Sequence, residues 1–78
     1  MLVSVHYYGR LREAFGAKEV QLELNDGATL GDLCECILGG IAPGFLKEIS
    51  FVVNWEAAEL GKTLKGGDQV ALLPMIPH

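Results

Sequence analysis

One stretch, "ATLGDLCECILGG" (residues 28–40), repeats its apolar residues at a helical period for more than two turns, and this limits the fold more than any other feature. Leu30, Leu33, Cys34, Ile37 and Leu38 fall at i, i+3, i+4, i+7 and i+8, so they form one stripe and leave the opposite side polar. Thr29 stands three residues before Asp32, close to a capping box although Asp is a weaker third member than Glu. The Gly39, Gly40 pair stops the helix. A helix with a single apolar stripe covers one face of one sheet, and the remaining residues must supply that sheet.

They carry the right pattern. "LVSVHYY" (2–8) alternates and is rich in β-branched and aromatic residues, which predicts a first strand. In "RLREAFGA", Leu11, Ala14 and Phe15 sit at the spacing of a single helical turn that Gly16 can close. "KEVQLELNDG" alternates Val20, Leu22 and Leu24 with Glu19, Gln21 and Glu23 before turn residues, predicting a second strand antiparallel to the first. "IAPGFLKE" (41–48) reads as a loop with one more helical turn. "ISFVVN" (49–54) reads as a third strand buried on both faces. "WEAAELGKTLKGGD" is polar and turn-rich, with a very short strand expected around Glu59 and Leu60. "QVALLP" is the last strand, which Pro74 must end if that strand is internal. The class is α+β: a mixed sheet of four or five strands on one main helix, in a single domain spanning residues 1–78.

With 78 residues there is room for one core, and a stability margin on the order of 4 to 12 kcal/mol is expected. Half of the residues are hydrophobic and 21% are charged, which excludes disorder. The net charge of −4 disfavours binding to nucleic acid or to an anionic membrane. No run is long enough to span a bilayer, and the N-terminus lacks the pattern of a signal peptide, so a cytoplasmic protein is expected.

The chemistry-bearing residues point away from catalysis. Cys34 and Cys36 are two apart on a helix and face different ways, so Cys34 is expected to pack as a small hydrophobe and Cys36 to be exposed. His6 shares a strand face with Ser4 and Tyr8 and has no legible carboxylate partner, so a surface histidine is expected. Gly39, Gly40 and Gly66, Gly67 lack the setting of a phosphate loop. No nucleophile with its base, metal set or cofactor fingerprint emerges; an enzyme in its own right, a cofactor and a metal are not expected. Trp55, beside the turn after the third strand, reads equally well as a lid on the core or as an anchor for a partner. Arg10, Arg12 and Glu13 form a charged cluster that is either a solvated turn or part of a partner surface.

The chain ends "LLPMIPH", an apolar tail stiffened by two prolines. Together with "YYGRLREAFG", "LNDGATLGDL", "VVN" and "LKGGDQVALLP", in that order and spacing, the sequence resembles the sulfur-carrier family of small ubiquitin-like proteins, the MoaD/ThiS type, and is most similar to the small subunit of molybdopterin synthase. The resemblance covers the chain end to end. It implies a β-grasp roll whose first and last strands run parallel in mid-sheet while the C-terminal tail projects from it. In that family an ATP-dependent activating enzyme adenylates the terminal carboxylate, a sulfur donor makes it a thiocarboxylate, and the tail delivers the sulfur inside a partner. Carried over, this makes Pro74, Met75, Ile76, Pro77 and His78 a partner-binding tail, beside which the residues themselves suggest Arg10, Arg12 and Trp55 as a possible partner surface. The partner is then an activating enzyme or a molybdopterin-synthase-like large subunit. Extended, Met75–His78 reaches roughly 13 Å, enough to enter a cleft.

The family's carriers end in Gly-Gly, and a channel that brings backbone against a nucleotide has no room for a Cβ. Here Pro77 and His78 stand instead, with His78 near the position of the first glycine. Three expectations follow: a longer natural frame that continues to the glycines, a relative that keeps the fold as a non-carrier regulatory or structural subunit of a larger enzyme, or an altered terminus accepted by a tolerant partner.

Overall fold

The computed structural model describes residues 1–38 and 49–74. The predicted loop at 41–48, the helix-ending Gly39 and Gly40, the side chain of Leu38 and the tail residues Met75, Ile76, Pro77 and His78 lie outside the described residues.

The elements are β1 (Leu2–Tyr7), α1 (Leu11–Phe15), β2 (Glu19–Glu23), α2 (Leu30–Leu38), β3 (Ile49–Val53), β4 (Glu56–Ala57) and β5 (Gln69–Pro74). They form one mixed sheet in the order β2-β1-β5-β3-β4. β1 pairs antiparallel with β2 and parallel with β5, and β3 pairs antiparallel with both β5 and β4. The first and last strands therefore lie side by side inside the sheet, the β-grasp arrangement that the resemblance implies.

Strand parity sorts the side chains. Val3, Val5 and Tyr7 of β1, Val70 and Leu72 of β5, and Ile49 and Val53 of β3 are buried, and they meet Leu30, Leu33 and Cys34 of α2 with Leu11, Leu24 and Leu64 in one core. Ile37 and Phe51 pack partly buried against it. The α2 stripe thus covers one face of the sheet, as its spacing predicts. Cys34 is buried there, and desolvation pushes its thiol up to about 11, whereas Cys36 is exposed.

The start of α2 is satisfied twice over. The Thr29 N–H donates to Asp32 Oδ2 (2.9 Å) and the Asp32 N–H donates to Thr29 Oγ1 (3.2 Å), so the box closes even with the shorter acid. The Leu30 and Gly31 amides donate to the carbonyls of Lys62 and Leu60, both at 2.8 Å. A Cβ on Gly31 would stand 3.3 Å from the Leu60 oxygen, so glycine lets the two backbones approach.

Two expectations are corrected. The short strand lies at Glu56–Ala57 and not around Glu59 and Leu60, because the chain reverses immediately after β3. Val53 pairs with Glu56 across a two-residue loop in which Asn54 (φ 51°) and Trp55 (φ 69°) are both left-handed, the backbone of a type I′ turn. That leaves Leu60 to cap α2. Nor is β3 buried on both faces: Ser50 and Val52, on the side away from α2, are only half-buried, since no described element covers that side.

The turn is clamped. The buried Asp68 carboxylate accepts from Asn54 Nδ2 (3.0 Å) and from the Lys65 N–H (2.8 Å), and the Gln69 N–H donates to Asn54 Oδ1 (3.0 Å). Asn tolerates this conformation; Trp55 does not gain by it, being 73% exposed.

Two measurements follow. Trp55→Gly removes a strained bulky residue from a left-handed position, so thermal unfolding should shift upward by roughly 5 °C, or about 1 kcal/mol. Thiol labelling at pH 8 should modify Cys36 alone in the native state and reach Cys34 only after denaturation.

Candidate functional site: the uncovered sheet face and the root of the tail

The side of the sheet away from α2 carries a second set of apolar and polar side chains. Alternation along β1 turns Leu2, Ser4 and His6 outward, with Tyr8 following in phase, and the register aligns these with Gln69, Ala71 and Leu73 of β5 and with Ser50 and Val52 of β3. Ala71 is buried at the centre of this face between His6 and Val52, while Tyr8, Val52 and Leu73 are half-buried. Among the described residues no element covers them, and they form an apolar band beside the end of β5. The sequence signal was the second set of apolar residues in "QVALLP": a strand with one wet face would have been polar at 71 and 73.

β5 is internal, and Pro74, half-buried, is its last residue, paired with Ile49. That is where a proline is allowed to end a central strand. Next to it, Gly9 is left-handed (φ 57°), and a Cβ there would stand 3.1 Å from Pro74 Cγ. The segment from Tyr8 to Arg12 folds over this end of the sheet: the Tyr8 N–H donates to the Leu72 carbonyl (3.1 Å), and the Leu11 N–H donates to the Tyr8 carbonyl (3.1 Å). The root of the tail is thereby seated against a glycine.

Arg10 and Arg12 lie at this same end. Arg10 precedes α1 without a side-chain cap and is exposed; Arg12 Nε donates to the Tyr7 carbonyl (3.0 Å) and its guanidinium stands 5.7 Å from the centre of the Tyr8 ring. The arginine cluster is thus partly fixed by the fold. Lys18 is also here, its carbonyl accepting from the Tyr7 amide, so three of the six Lys and Arg gather at one end of an acidic chain.

His6 has partners that the sequence did not reveal. Its Nε2 is 2.7 Å from Gln69 Oε1 and its Nδ1 is 3.4 Å from Glu19 Oε2. Both neighbours come from adjacent strands, so neither could be found by spacing within β1. Each ring nitrogen is occupied on the surface of the sheet, and no base is aimed at an open cavity.

Trp55 is not a lid on the core; it stands exposed at the β3–β4 turn. The register puts Val53 against Val70, near the start of β5, whereas Pro74 is at its end, so Trp55 and the arginines sit at opposite ends of the sheet, roughly 16 Å apart along β5. The three residues do not form one surface. Among the described residues, no group of three or more His, Cys, Asp or Glu could hold a metal ion, and no helix is long and apolar enough to cross a membrane.

Comparison with known proteins agrees with this geometry. The family model described as the ThiS family matches residues 5–77. Small archaeal modifier protein 1 of Haloferax volcanii is 28% identical over 79 residues, covering 88% of this chain and 91% of that protein. Its crystal structure superposes with a TM-score of 0.86 at 24% identity, over 100% of this chain and 99% of that one. A putative molybdopterin converting factor, subunit 1, from Pyrococcus furiosus superposes at 0.83 with 28% identity, over 97% and 99% of the two chains. In fold, so does a chain of the complex of subunits 1 and 2 of the molybdopterin-converting factor from Helicobacter pylori, at 0.71 with 20% identity, over 100% and 99%. The chain belongs to the ThiS family, the ubiquitin-like sulfur carriers and modifiers of the β-grasp fold.

Proposed function

We propose that the protein is a carrier that docks on an enzyme through the uncovered face of its sheet and inserts its C-terminal tail, Pro74 to His78, into that enzyme's cleft. The observation that carries this reading is the continuity between the two parts: Leu73, on the open apolar band, is followed directly by Pro74, the seated root of the tail. A partner that covers Tyr8, Val52, Ala71 and Leu73 lies against the point from which the tail starts. Docking on a preformed face fixes the tail's origin before insertion, which lowers the entropy lost on threading it.

The charge distribution supports the same orientation. Arg10, Arg12 and Lys18, against Glu13 and Glu19, leave a small positive excess at the tail end, which favours a partner with an acidic border around its cleft although the chain is acidic as a whole. The activating enzyme and the molybdopterin-synthase-like large subunit are the partner classes that the family implies. In this account the protein supplies the tail and its placement, and the partner supplies the catalysis.

The test combines binding with chemistry, using the activating enzyme and the large subunit from the same genome. Leu73→Asp and Val52→Asp should weaken binding by at least about tenfold in calorimetric titration while the variants stay folded, because each puts a charge into the centre of the interface. Incubation with ATP, the activating enzyme and a sulfur donor should add to the intact mass the difference of one oxygen-to-sulfur exchange. An unmodified mass, under conditions that modify a diglycine carrier, with binding still dependent on Leu73, reduces the role to that of a non-carrier binding subunit. Binding indifferent to both face variants overturns the reading.

A further inference from the structure

We infer that a hollow at the tail end of the sheet, walled by Arg12 and Lys18, binds a single carboxylate supplied by an acidic side chain of the docked partner; this rests on the face-docking reading above and names one contact within it. The hollow measures about 340 Å³ and is lined by His6, Tyr7, Tyr8, Arg12, Lys18 and Glu19, where β1 leads into α1 and α1 into β2. Three observations converge on it. Neither cation has an ion-pair partner among the described residues, where the ion pairs are those of the Met1 amine with Glu23 and of His6 with Glu19. In a chain with 10 Asp and Glu against 6 Lys and Arg, two cations left unpaired on the walls of one hollow are available to an outside anion. Arg12 is also held in place already: its Nε donates to the Tyr7 carbonyl (3.0 Å) and its guanidinium stands 5.7 Å from the centre of the Tyr8 ring, which leaves both Nη groups unengaged. A fork fixed at its root loses little freedom on meeting a carboxylate, which it matches bidentately. Finally, the nearest competing carboxylate is occupied, since Glu19 Oε2 lies 3.4 Å from His6 Nδ1.

The charge balance selects the ligand. Counting His6 as neutral, Arg12 and Lys18 against Glu19 leave the lining one positive charge, which a carboxylate neutralises; a phosphate dianion overshoots it and meets the Glu19 charge at close range. Position selects the source. His6 and Tyr8 line the hollow and also belong to the open face of the sheet, so a protein that covers the apolar band stands beside the hollow. An exposed ion pair is weak on its own, and the site therefore suits a carboxylate that a larger contact brings to it rather than a free acid. Placed at the margin of an apolar patch, one such pair decides which way round the partner sits.

Two titrations of the whole chain test this. In the first, the amide of N-acetylaspartate, its asparagine counterpart and inorganic phosphate are added at equal ionic strength and followed by NMR at the Arg12 Nε–H and the Tyr8, Lys18 and Glu19 amides. The aspartate compound should give saturable shifts that weaken at least about fivefold in Arg12→Gln and in Lys18→Gln, and the asparagine compound should give none. Absence of saturable shifts, an equal response to asparagine, shifts that survive both substitutions, or tighter binding of phosphate overturns the inference. In the second, the activating enzyme and the large subunit from the same genome are titrated calorimetrically at low and high salt. Lys18→Gln should weaken binding to one of them at least about threefold at low salt and by less at high salt, with the thermal midpoint unchanged, because this side chain has no hydrogen bond or ion pair within the described fold. Affinity that depends on Leu73 and Val52 but on neither Arg12 nor Lys18 removes the carboxylate site and leaves the docking face. Dependence on Arg12 and Lys18 without dependence on the face removes the face reading and leaves the site.

Discussion

The parallel pairing of β1 with β5 holds this molecule together. It aligns Ser4 to Tyr7 with Gln69 to Leu72 and so joins the two ends of the described chain in the middle of the sheet, where the side chains facing α2 are the most deeply buried. Everything of functional interest is positioned from that pairing. It turns His6, Ala71 and Leu73 to the open side, lets Tyr8 reach the Leu72 carbonyl, and brings Gly9 against Pro74. Parallel strands need a long connection, and here that connection contains the remaining described strands and both described helices, so the pairing joins parts of the chain more than sixty residues apart.

The opposite faces of the sheet then take different physical characters. One is sealed by the α2 stripe; the other, with no described element over it, keeps an apolar centre inside a polar and charged margin of Glu19, Gln21, Glu23 and Gln69. Such a surface is ordered enough to be recognised and apolar enough to release water when covered. The His6 contacts with Gln69 and Glu19 tie three strands together across it without filling it.

Much of this was legible in the residues because local and long-range signals agree. The α2 stripe, its Thr29–Asp32 box, the alternation in β1 and β2 and the single turn closed by Gly16, which is left-handed as expected, each depend on neighbours within a few positions. What escaped depends on chain pairing. The hairpin strand at Glu56 is not legible because Asn54–Trp55 lacks the glycine that announces a type I′ turn, and only the Asp68 clamp, fourteen residues from Asn54, explains how the turn forms without it. His6 found its neighbours from two other strands. Nothing in the residues separates Trp55 from Arg10 and Arg12, because sequence does not show which end of a sheet a turn occupies. The family resemblance recovered the parallel centre that periodicity alone left open.

Gly9 has a mechanical result that concerns inheritance more than energetics. Because Pro74 rests against an empty Cβ position and within the β5 ladder, the heading of the backbone at that point is decided by the body of the fold. Residues beyond it are free to diverge without re-aiming the point of departure.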